Sequence, residues 1–205
     1  AVHAVKFTKL ALAYVGELAK GSFAVSRRSP ADFDGDGKTD LSVFRPGQNE
    51  WWYLRSGSGG NGAAQFGAAG DIITPGDFTG DGKTDMAFFR PSTGYWYVLR
   101  SEDQSFYAFP FGGSGDVTMP ADFDGDGKTD AAVFRPTTAT WYINRSTGGT
   151  TITQFGASGD APIASDIDGD GKADIGVYRA TASEWWIAKS TGGLTACRLG
   201  GAGDK

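Results

Sequence analysis

A ten-residue string that returns about every 45 residues constrains this chain more than any other feature. ADFDGDGKTD begins at Ala31 and recurs unchanged at Ala121, with the variants GDFTGDGKTD from Gly76 and SDIDGDGKAD from Ser165. Other markers keep the same phase. Phe44-Arg45, Phe89-Arg90, Phe134-Arg135 and Tyr178-Arg179 form one series, and Trp51, Trp96, Trp141 and Trp185 a second. Phe66-Gly67, Phe111-Gly112, Phe155-Gly156 and Leu199-Gly200 form a third, and Gly70-Asp71, Gly115-Asp116, Gly159-Asp160 and Gly203-Asp204 a fourth. Such self-similarity marks a repeat architecture, in which one unit cannot bury its apolar face alone and neighbours must stack.

Within a repeat the segments between turn residues are too short for helices. In the third, AAVFRP (131–136), TWYINRS (140–146), TTITQFG (150–156) and DAPIASDI (160–167) each read as a strand, rich in β-branched and aromatic residues between Gly, Pro, Asp or Ser. Four short strands per repeat predict an all-β chain, a β-propeller of four-stranded blades. Glycine, 32 of 205 residues, suits the many tight turns this requires. The recurrent Trp and Phe are assigned to inter-blade packing, and the repeated arginines to inter-blade or turn hydrogen bonds. The domain reading is an N-terminal extension, 1–22, followed by a propeller of four repeats, 23–205. The fourth repeat ends without the strand that precedes an Asp loop, while 22–33 carries such a strand. The expectation is therefore four blades closed by the N-terminal strand completing the last one. Closure between chains, giving an oligomer or fibre, is the rival.

Each string is also a compact set of carboxylates. Acids at alternate positions followed by a Gly turn let one short loop wrap oxygen around a hard cation, and an all-oxygen set without His or Cys suits calcium rather than zinc. The loops hold 15 of the 24 acidic residues, which repel one another without a cation. An EF-hand is excluded, because loop position 12 is Val43, Phe88, Val133 or Val177 where that motif needs Glu.

The DFDGDGKTD loops and phased Phe-Gly pairs resemble FG-GAP repeats, also called VCBS repeats, of integrin alpha-subunit and bacterial surface-protein propellers. The resemblance covers about residues 23–205. It implies one Ca²⁺ per repeat, up to four, held by side chains at loop positions 1, 3, 5 and 9 and by the carbonyl at position 7. The first site is then Asp32, Asp34, Asp36, Lys38 and Asp40. The second is Asp77, Thr79, Asp81, Lys83 and Asp85, and the third Asp122, Asp124, Asp126, Lys128 and Asp130. The fourth is Asp166, Asp168, Asp170, Lys172 and Asp174. Thr79 puts a hydroxyl where the others have a carboxylate, so the second site is expected to be the weakest.

The remaining residues narrow the function class. A net charge of −5 argues against nucleic-acid binding, and no run of 18 apolar residues offers a membrane span. The single cysteine, Cys197, excludes an internal disulfide and is expected to be a small buried apolar residue. No nucleophile motif, phosphate loop or separate carboxylate pair suggests catalysis. The expected role is a non-catalytic, secreted or surface-displayed structural or adhesive propeller, its partners other copies of itself, glycans or surface proteins. Self-association would run through strand exchange or through residues 1–22. A lectin using Trp51-Trp52 and Trp185-Trp186 is the alternative, as is a non-catalytic fragment of a larger surface protein or enzyme.

Overall fold

The computed structural model describes residues 31–200 and contains only strands and turns. Four antiparallel sheets follow one another as the blades of a four-bladed β-propeller. The first blade is β1 (Leu41–Arg45), β2 (Glu50–Leu54) and β3 (Asn61–Gln65). The second is β4 (Ile72–Ile73), β5 (Met86–Arg90), β6 (Tyr95–Leu99) and β7 (Phe106–Pro110). The third is β8 (Val117–Thr118), β9 (Ala131–Arg135), β10 (Thr140–Asn144) and β11 (Thr150–Gln154). The fourth is β12 (Ala161–Ser165), β13 (Asp174–Arg179), β14 (Glu184–Ala188) and β15 (Leu194–Arg198). The strand segments legible in the third repeat are all present.

Their grouping differs from the expected one. The strand before each Asp loop pairs with the strand after it, as in Ala161 opposite Tyr178 and Val117 opposite Phe134. The cause is local: each loop closes like a hairpin turn, with Asp85 N–H donating to Gly76 O at 2.8 Å and Asp130 N–H to Ala121 O at 2.8 Å. The fourth blade is therefore complete between 161 and 198, and the expectation that the N-terminal strand completes it is corrected. The first blade shows three strands among the described residues, and the segment preceding its Asp loop, with the extension 1–22, lies outside them.

Junctions between blades are apolar. One cluster joins Phe89, Trp96 and Val98 of the second blade to Ala131 and Val133 of the third. A second joins Phe134 and Trp141 to Val177 of the fourth, and a third joins Phe33 and Trp51 to Met86. Two of the phased series meet here. The indole N–H of Trp51 donates to Phe66 O at 2.8 Å, that of Trp96 to Phe111 O at 2.9 Å, and that of Trp141 to Phe155 O at 3.3 Å. Burying the ring without that bond would leave an unpaired donor.

The other two series also meet. Arg90 grips Asp71 with two bonds of 2.7 and 2.8 Å, and Arg135 and Arg179 hold Asp116 and Asp160 in the same way. Each guanidinium also lies over a ring, Arg90 on Tyr97 and Arg135 on Tyr142 at 4.7 and 4.6 Å. The arginines are thus turn clamps inside a blade. Arg45 turns instead to Glu50, because the residue nineteen before it is Ser26 and not an Asp. Cys197, expected to be buried, is exposed, because it lies on β15, the outermost strand of its blade.

Candidate metal centre

The four Asp loops share one internal geometry. The first-position carboxylate accepts the N–H groups of the two loop glycines; Asp32 takes Gly35 at 2.7 Å and Gly37 at 2.8 Å. Asp77, Asp122 and Asp166 repeat both bonds. The glycines are required: Gly35 and Gly37 have φ of +81° and +82°, and a Cβ on Gly35 would lie 2.9 Å from Lys83 Cε. The Lys83 stem thus lies across the preceding loop, and Lys128 and Lys172 cover Gly80 and Gly125 likewise. Backbone bonds continue the chain of loops, from Thr84 N–H to Asp32 O, Thr129 to Asp77 O and Ala173 to Asp122 O, at 2.6 to 2.7 Å.

The ninth-position acids are buried anchors. Asp40, Asp85, Asp130 and Asp174 are each at most 2% exposed. One oxygen accepts the second-position N–H (Phe33, Phe78, Phe123 or Ile167) at 2.8 to 2.9 Å. The other accepts a serine N–H from the next β-hairpin: Ser56, Ser101, Ser146 or Ser190. The same serine hydroxyls donate to the fifth-position acids Asp36, Asp81, Asp126 and Asp170. These serines were missed in the sequence reading, although each follows a basic residue in phase: Arg55, Arg100, Arg145 and Lys189. They lock the fifth and ninth positions of each loop to one turn of its own blade.

Carboxylate oxygens of Asp32, Asp34 and Asp36 lie within 4.8 Å of one another. So do those of Asp122, Asp124 and Asp130, and of Asp166, Asp168 and Asp174. These three clusters have the spacing to hold a metal ion. The second loop does not form such a group, as its Thr79 foreshadows. At the third loop position two buried oxygens, Thr79 Oγ1 and Asp168 Oδ1, have no hydrogen-bond partner. Buried oxygens are rarely left unpaired, and a cation in each of these two loops would satisfy them. Burial pushes the Asp85, Asp122 and Asp130 carboxyls above the usual carboxylate range, and Asp124 repels both Asp122 and Asp130. Hydrogen bonding by Ser190 holds Asp170 below that range. The donor set therefore fits a hard divalent cation: oxygen only, crowded, and negative.

Residues 32–88 and 122–177 match the FG-GAP-like repeat family, more than half of the chain. The chain belongs to that family. Among solved structures, this FG-GAP chain is similar in fold to a streptogramin B lyase, with 16% identity, a TM-score of 0.51, and coverage of 78% of this chain and 51% of that one. It is similar to virginiamycin B lyase from Staphylococcus aureus at 10% identity and a TM-score of 0.51, covering 78% and 52%. A protein of unknown function from Bacteroides caccae follows at 14% identity and a TM-score of 0.50, covering 80% and 59%. At such identities the likeness is one of fold alone, and the FG-GAP chain spans about half the length of these structures. No curated protein matches it.

Proposed function

We propose that this FG-GAP chain is a calcium-binding, non-catalytic propeller of the cell surface or extracellular space, with a structural or adhesive role. The observation that carries the reading is the fourth loop, where Asp168 Oδ1 is buried without a partner in a group of carboxylates within 4.8 Å of one another, a grouping that the first and third loops repeat. Asp32, Asp34, Asp36 and Asp40 would hold the first ion, Asp122, Asp124, Asp126 and Asp130 the third, and Asp166, Asp168, Asp170 and Asp174 the fourth. Asp77, Asp81 and Asp85 are left to hold the second. Calcium would neutralise the carboxylates and tie each loop to its blade. Sites of this kind on extracellular modules work at about 10⁻⁴ to 10⁻³ M calcium, which suits a surface or secreted setting.

Thermal melting tests this. A site at a hundredfold excess of calcium over its dissociation constant adds about 2.7 kcal/mol, or roughly 5–10 °C for a chain of this size. For a site of about 10⁻⁴ M that excess is about 10 mM calcium, where the melting temperature is expected to rise by that much and to fall back with chelator. Equal melting temperatures in calcium, magnesium and chelator would overturn the reading.

One observation favours self-association as the structural role. Leu41 and Val43 on β1 are 75% and 58% exposed, whereas their counterparts Met86, Phe88, Ala131 and Val133 are at most 7% exposed under the preceding blade. A second copy presenting its fourth blade would cover this apolar face head to tail. Light scattering is expected to give a mass above 21.5 kDa that a Val43→Glu substitution reduces to the monomer; a monomeric wild type would exclude it. The sugar-stacking alternative is left with Trp185, which is half-buried. Trp51 is buried at 4%, and the Trp52 and Trp186 rings lie under Arg45 and Arg179.

A further inference from the structure

The second Asp loop differs from the others at two places, not one. Across the loop from position 3 stands the residue that follows the clamping serine in the hairpin: Gly57, Glu102, Thr147 and Thr191 in the four blades. In the first blade Gly57 N–H donates to Asp34 at 3.1 Å. In the third, Thr147 donates to Asp124 through its hydroxyl at 2.5 Å and its N–H at 3.2 Å. In the fourth, the Thr191 hydroxyl donates to Asp168. Three blades therefore place an acid on the loop and a donor on the hairpin. The second reverses this, with a hydroxyl, Thr79, on the loop and an acid, Glu102, on the hairpin.

The hairpin itself has not shifted. Ser101 makes the same two bonds as its counterparts, its N–H to Asp85 at 2.9 Å and its hydroxyl to Asp81 at 2.8 Å. Glu102 consequently occupies the place of Thr147 and Thr191. It lines, with Thr79, one open cavity of about 400 Å³ beside the loop. Thr79 Oγ1 is buried there without a hydrogen-bond partner, while Glu102 is exposed. Without Glu102 the second loop offers Asp77, Asp81 and Asp85 alone, one carboxylate fewer than every other loop.

We propose that Glu102 supplies the carboxylate that Thr79 lacks, reaching from the β6–β7 hairpin to complete the second cation site. The inference rests on the calcium reading above. Glutamate is one methylene longer than aspartate and comes from a different turn, so ordering it costs more side-chain entropy. The second site accordingly remains the weakest while still binding. The same cavity is lined by Arg100 and Lys128, which could pair with Glu102 instead; that arrangement would leave calcium affinity independent of residue 102.

Calorimetric calcium titration of the full chain separates these cases. Wild type is expected to take up four ions, three tightly and one more weakly. Glu102→Gln, an exposed and isosteric change, should weaken that one site at least tenfold and leave three untouched. The exchange Thr79→Asp with Glu102→Thr, which recreates the pairing of the third blade, should restore four ions with the weak site tightened. Wild type that binds no calcium overturns the calcium reading itself, and the Glu102 role with it. Wild type that binds three ions, or Glu102→Gln that titrates like wild type with four, overturns the Glu102 role alone.

Discussion

Replacing Trp96 with alanine is expected to destabilise the chain by about 3–5 kcal/mol, the usual range for truncating a fully buried aromatic. The indole is 0% exposed and packs against Phe78, Phe89 and Phe109 with ring centroids 5.7 to 6.4 Å away. Its loss opens a cavity in the junction between the second and third blades and removes the indole N–H bond to the Phe111 carbonyl. Because a blade array is held by nearest-neighbour interfaces, the damage should also weaken coupling between blades. Urea unfolding is then expected to shift its midpoint down and to broaden. Trp185→Ala is the comparison: Trp185 makes the same bond, to Leu199 O at 3.2 Å, but is only part-buried at the end of the array. A loss at Trp96 no larger than at Trp185 would show that the junctions do not hold the fold.

Asp130→Ala is expected to cost about 2 kcal/mol or more even in chelator, since it takes the acceptor from two part-buried N–H groups, each near the low end of the roughly 1–3 kcal/mol range. Those are Phe123 N–H at 2.8 Å and Ser146 N–H at 2.6 Å, around a side chain 1% exposed. Asp126→Ala in the same loop removes an exposed carboxylate that accepts only the Lys128 N–H and the Ser146 hydroxyl among the bonds described. It should change stability in chelator by less than about 1 kcal/mol. In calcium both variants are expected to lose the stabilisation contributed by the third site. Chemical denaturation of both variants, with and without calcium, thus separates the loop-folding role of position 9 from ligation. Equal losses in chelator would remove the distinction.

The repeat was readable from residue types because it is written in local conformation. Alternating β-branched and aromatic residues between turn formers place strands wherever they occur, and the Asp–Gly pattern dictates a tight oxygen-rich turn regardless of what surrounds it. The candidate metal residues were legible for the same reason. All lie within nine consecutive positions of one loop, so no distant contact was needed to bring them together. Glu102 and the clamping serines were not, because they reach the loop from about 20 residues away through a hairpin whose register must be known first.

What the sequence by itself determined, then, is the period, the strands, the loops and the aromatic series. The tertiary structure decided how those parts pair. A strand such as Ala161–Ser165 is joined to its neighbours by a short turn on either side, and both turns are compatible with antiparallel pairing. Only the closure of the Asp loop over its own base assigns it to the following sheet and completes the fourth blade without help from the N-terminus. The same holds for Trp with the Phe-Gly carbonyl and for Arg with the Asp nineteen residues earlier: the partners were visible as separate series, but their union depends on sheet register. Val43 and Val133 occupy the same place in their repeats, yet one is 58% exposed and the other 0%. The difference is position in the array, because the area buried on a residue depends on the blade that covers it and not on the residue alone.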